Sequence, residues 1–103
     1  MREQYYTVSD AIKQAQIAIE ILVGHSFDLI IPEAIAANKE KTVMVYSLPR
    51  KPDQNDITDR AIALLIGVVD VAASMKADDF NTEAQDFVNR VQEIIDDIEN
   101  FDY

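Results

Sequence analysis

Few residues in this 103-residue chain have the type and spacing that chemistry needs. Histidine occurs once, at His25, and cysteine not at all. Zinc sites draw several ligands from Cys and His, so that chemistry lacks its donors. Without cysteine there is also no thiol nucleophile and no disulfide. A serine nucleophile would need His25 as its base, with Ser9, Ser26, Ser47 or Ser74 attacking, and no spacing favours one of them. No Gly-x-Ser-x-Gly turn is present. Loops that cradle phosphate need glycines for close backbone approach, and the two glycines, Gly24 and Gly67, are far apart. Glu93 and Asp96 form a Glu-x-x-Asp pair, as in half of a two-helix magnesium site. The other half, a Glu-Glu-x-x-Glu run on an earlier helix, is missing. Carboxylates on an outer helix face are ordinarily a solvated surface. The expectation is a protein that is not an enzyme and that carries no metal or cofactor.

Charge points elsewhere. The formal net charge is −10. Residues 1–52 hold six acids and six bases, whereas residues 70–103 hold ten acids against Lys76 and Arg90. Phosphate backbones are bound by Lys and Arg, so direct nucleic-acid binding is not expected. An anionic membrane surface would repel the chain, and a basic protein surface would attract it. Asp86, Glu93 and Asp97 recur on one side of the last amphipathic segment and are the candidate partner-binding residues. The competing candidates are Tyr46, Arg50 and Lys51. Arg50 and Lys51 sit between Pro49 and Pro52, where a cationic loop could hold a small, nucleotide-like anion.

These side chains need elements to position them. Thr7 and Asp10 have the spacing of a helix start. Val8, Ile12, Ala15, Ile19 and Leu22 then repeat at steps of four and three, and Gly24 follows as a stop. A second helix is expected from Asp56, with Asp59 three residues on. Ile57, Ala61, Leu64, Val68, Val71 and Met75 form one apolar stripe there, and Ile62, Ile66, Val69 and Ala73 another. A helix apolar on most sides must be surrounded. A bilayer span needs about 20 apolar residues, and the uninterrupted run ends at Asp70 after nine, so no span is expected. A third helix starts with Thr82 and Gln85 as a capping box. Its seam is Ala84, Phe87, Val91, Ile94, Ile98 and Phe101, flanked by Val88 and Ile95.

Residues 25–48 lack a clean period. Pro32 suits the first position of a short helix over about 32–39. "KTVMVYSL" is rich in β-branched and aromatic residues and could pair with "FDLII" as a ribbon. An isolated ribbon is marginal, so helix is the expectation for this stretch.

The resulting fold class is all-α: a single domain, 1–103, built as a small antiparallel bundle of three to four helices, with a short β ribbon in 27–46 as the alternative for its middle. The stretch "MREQYYTVSD" shows neither an apolar core nor a small-residue cleavage site, and the expected setting is cytoplasmic. Ala63 and Gly67 lie four apart on one helix face. The first reading of that pair is a close contact inside one chain; with Ile66 and Asp70 it also marks the expected interface of a homodimer. Function is expected to be non-catalytic: an adaptor, inhibitor or immunity-type protein, of the kind that bacteria and phages encode, presenting its acidic last helix to a basic protein.

Overall fold

The chain is described by a computed structural model that covers residues 2–38, 41–76, 78 and 80–100. Its elements in order are β1 (Glu3–Tyr6), α1 (Val8–Val23), α2 (Glu33–Ala36), β2 (Val43–Tyr46), α3 (Gln54–Ala73) and α4 (Thr82–Glu99). Among the described residues the protein is mostly helical, with four helices and one two-stranded sheet. This agrees with a small helical fold and adds a two-stranded ribbon to it.

The two long helices expected at the start and end of the chain form where their apolar periods place them. Thr7 caps α1, its hydroxyl accepting from the Asp10 amide. Gly24 ends it with φ of 83°, a left-handed conformation that a side chain would oppose, and its N–H donates to the Glu20 carbonyl. The α4 seam is buried as expected from Ala84 to Ile98, and Val88 and Ile95 are buried beside it. Phe101 lies outside the described residues.

Three helix starts differ from expectation. α3 begins three residues earlier, capped by Asp53 rather than Asp56. The Asp53 carboxylate accepts from the Asp56 amide at 2.8 Å, and Asp56 accepts from the Asp53 amide at 3.1 Å. Asp56 is thus the third helical residue of a reciprocal capping box. α4 is capped by Asn81, whose Oδ1 accepts from the Ala84 amide at 3.0 Å, and Thr82 is the first helical residue. An aspartate three residues upstream of Asp56 and an asparagine directly before Thr82 take the cap position because the side-chain oxygen of each meets an orphan amide of the first turn. α2 is shorter than expected and follows Pro32, with Ile35 fully buried as its anchor.

The middle of the chain is the main correction. Residues 43–46 are a strand, not a helix, and their partner is β1 rather than "FDLII". The register pairs Glu3 with Tyr46, Gln4 with Val45, Tyr5 with Met44 and Tyr6 with Val43, antiparallel. A further rung joins Ser47 to Arg2 in both directions, through the Ser47 amide and the Ser47 hydroxyl. Alternation decides the faces. Val43 and Val45 are buried against α3, and Tyr5, Met44 and Tyr46 are exposed on the outside. The ribbon escapes marginality because its inner face packs on a helix.

α3 packs against α1, α4 and β2. Ala61, Leu64, Leu65, Val68 and Ala72 are fully or almost fully buried along it. The radius of gyration is 13.6 Å, and the extents of 43 × 28 × 16 Å describe a slab about two elements thick. A slab this thin leaves part of the second α3 stripe in water: Ile66 is 46% exposed. No helix among the described residues is long and apolar enough to cross a membrane.

Candidate functional site

The α4 face is built by its own register. With the seam turned inward, Asp86, Glu93 and Asp97 fall within about 40° of one another around the helix and span about 16 Å along it. All three are exposed. Glu83, Asp96 and Glu99 are exposed on the same helix. Arg90 stands in the middle of the stripe and contacts Glu93 at 3.4 Å, both side chains being well exposed. A surface pair of this kind contributes little, about 0–1 kcal/mol. The structure therefore brings the three predicted residues together as an open acidic stripe with one cation.

The flanks of α4 are not flat. A cavity of about 260 Å³ lies between α4, the end of α1 and the turn after it. Ile19, Leu22, Val23, Phe27, Ile94 and Ile98 supply its apolar wall, and His25, Arg90 and Asp97 its polar edge. A more open groove lies between α4 and the segment leading to α2, lined by Asp28, Leu29, Ile30, Pro32, Glu83, Asp86, Phe87 and Arg90. Arg90 borders both, so the two run on from each other along one flank. The sequence carries no sign of these depressions, because "FDLII" reads as a strand or a helix and not as a wall. His25 is exposed at the end of α1. Among the described residues no group of three or more His, Cys, Asp or Glu is placed to hold a metal ion.

Tyr46, Arg50 and Lys51 are only partly gathered. Tyr46 lines a cleft with Leu48, Pro49, Asp56, Asp59 and Arg60, but Arg50 and Lys51 are exposed and do not line it. The guanidinium in that cleft is Arg60. It donates to Gln4 Oε1 at 2.6 Å and to the Tyr6 hydroxyl at 3.0 Å, and lies 5.8 Å from the Tyr6 ring centre. Its Nε is buried without a hydrogen-bond partner among the described residues. A lone arginine near the start of a largely apolar helix was the available signal. On the ribbon beside it, the Tyr5 hydroxyl donates to Glu3 Oε2, which with the carboxylate's charge raises the phenol above its ordinary value.

Of the four residues expected at a dimer interface, Ala63, Ile66 and Asp70 are exposed and Gly67 is partly covered. Ala63 and Ile66 are exposed and line a shallow cleft with Thr58, Asp59, Ile62 and Glu99. Asp70 is exposed on the same helix. Gly67 instead faces the Val43 side chain so closely that a Cβ there would collide with it. The space of the missing side chain is filled within the chain by a strand.

Comparison with family models, with curated proteins and with solved structures found no match to this chain.

Proposed function

We propose that this chain is a small non-catalytic interaction protein that docks the outer face of α4 on a basic surface of another protein. The observation that carries the reading is the stripe of Asp86, Glu93 and Asp97, exposed on a helix whose opposite side is fully committed to the core. Like charges at positions 93 and 97 oppose helix formation by a few tenths of a kcal/mol, so folding alone gives no reason to gather them. Such a field accelerates encounter with a cationic partner and sets orientation. An adaptor or inhibitor in the cytoplasm is the form this reading takes, the carboxylates standing in for phosphates where the partner binds nucleic acid.

The anion-binding alternative draws less support, because Asp56 and Asp59 share the Tyr46 cleft with Arg60 while Arg50 and Lys51 lie outside it. Self-association through α3 also draws less support, since Val43 occupies the approach to Gly67.

The test is retention of partners from native-host lysate on the immobilised chain, in low and in high salt, beside a variant with Asp86→Asn, Glu93→Gln and Asp97→Asn. The expected result is a basic protein held at low salt, released by high salt, and held several-fold less by the variant, because exposed charges are screened over about 10 Å at 0.1 M salt. Equal retention by both forms would remove α4 as the docking face.

A further inference from the structure

The segment 27–31, "FDLII", has a strand's composition and, among the described residues, no strand partner. Phe27, Leu29 and Ile31 are partly buried against the core, while Asp28 and Ile30 alternate with them and are exposed. Ile30 is 91% exposed, the most of any large apolar residue in the protein as described. Among the described residues, the backbone of 27–31 takes part in one hydrogen bond, from Gln16 Nε2 to the Phe27 carbonyl at 3.0 Å. β2, the strand it could have paired with, is bonded to β1. A segment whose side chains alternate between core and solvent and whose backbone groups are unpaired is a template for another chain.

We propose that 27–31 takes up an extended, lysine- or arginine-bearing segment of a partner protein by strand addition, in the groove between this segment and α4. This rests on the reading of α4 as a docking face and adds to it the partner's conformation. Charge decides the occupant. Asp28, Glu83 and Asp86 edge the groove, and Arg90, its one cation, is engaged by Glu93. A second copy of the chain would bring the same carboxylates to the same place and be repelled. A cationic strand meets complementary charge on the rim and apolar contacts at Leu29, Ile30 and Phe87. Main-chain hydrogen bonds then supply adhesion, and alternate side chains supply selectivity.

The test uses isotope-labelled full chain and three synthetic probes: an alternating lysine–valine peptide, its glutamate–valine counterpart, and a lysine–leucine peptide patterned as an amphipathic helix. With the lysine–valine peptide at about ten times its Kd, amide exchange is expected to slow about tenfold at alternate residues of 27–31. The glutamate–valine peptide is expected to leave these amides unchanged. Ile30→Asn, a surface change outside every helix and strand, is expected to weaken lysine–valine binding several-fold while leaving the thermal midpoint in place. Preference for the helical peptide, or lysine–valine binding without protection in 27–31, would overturn strand addition while leaving the α4 reading standing. Protection of 27–31 that grows with protein concentration alone would make a second copy the occupant and overturn the proposal. No binding of either cationic peptide would overturn it too, and the lysate experiment would then judge the α4 reading by itself.

Discussion

Gly67 of α3 rests directly on the side chain of Val43 in β2, and the absence of a Cβ at 67 is what lets strand and helix meet. Val43 is 2% exposed, so it has little room to withdraw. Gly67→Ala should therefore destabilise the protein despite the better helix propensity of alanine. Overpacking costs about 1–3 kcal/mol, against a helix gain of about 1 kcal/mol. Val43→Ala alone should also destabilise, by leaving a void. In the double variant the new methyl occupies part of that void, and the loss should fall short of the sum by about 1 kcal/mol. Denaturant unfolding of the four forms measures this. Additive losses would show that the two residues are not coupled.

The helix starts make a second prediction. Asp53→Ala and Asn81→Ala should each lower stability by about 1 kcal/mol, because each removes an acceptor for a first-turn amide. Thr82→Ala and Asp59→Ala, changed at the positions that sequence spacing favours, should cost only a few tenths of a kcal/mol, as surface substitutions do. Urea midpoints for the four variants separate the two sets of caps.

What was legible follows from where the information lies. α1 and α4 were readable because each carries its whole signal locally: an apolar period, a cap and, for α1, Gly24. The starts of α3 and α4 slipped because Asp53–Asp56 and Asp56–Asp59 repeat the same spacing, and Asn81 adjoins Thr82. Only the reciprocal bonds tell which oxygen meets which amide. β1 was invisible because four residues, Glu3–Tyr6, carry no period of their own. Its pairing partners are 37 to 43 residues away, and the same non-locality left "KTVMVYSL" without a visible mate. The acidic stripe was readable because helical period alone gathers Asp86, Glu93 and Asp97. The Arg60 cleft was not, since it exists only once β2 and the loop after it lie against α3.

The outer ribbon face titrates in a defined direction. The hydrogen bond from the Tyr5 hydroxyl to Glu3 favours the neutral phenol, and the nearby carboxylate charge acts the same way. A phenol whose folded value is raised contributes stability that is fully present below the ordinary value of 10.0 and lost as pH rises through the folded value. Carbon-13 shifts of Tyr5 against pH should show it titrating above 10.0, and Glu3→Gln should bring it down by removing the carboxylate. An unchanged midpoint in Glu3→Gln would remove Glu3 as the cause.

Arg60 makes the last prediction, because among the described residues it is the cation that ties the ribbon to a helix. Its guanidinium meets both Gln4 and Tyr6, alternate residues on the inner face of β1, and lies near the Tyr6 ring. A planar fork serves two acceptors at once, whereas an ammonium on a flexible stem does so poorly. Arg60→Ala should cost about 1–2 kcal/mol, from two charge-assisted hydrogen bonds and the ring contact, discounted because Gln4 and Tyr6 can regain water. Arg60→Lys should recover only part of that. The loss should also be local. β1 is held by β2 on one edge and by Arg60 from α3, so exchange of the Glu3–Tyr6 amides should quicken in Arg60→Ala before that of the α4 amides does. Amide exchange on the wild type and both variants reads this directly. Uniform acceleration across β1 and α4 would mean that Arg60 supports the whole core rather than the ribbon, and that the ribbon is held by its inner valines alone.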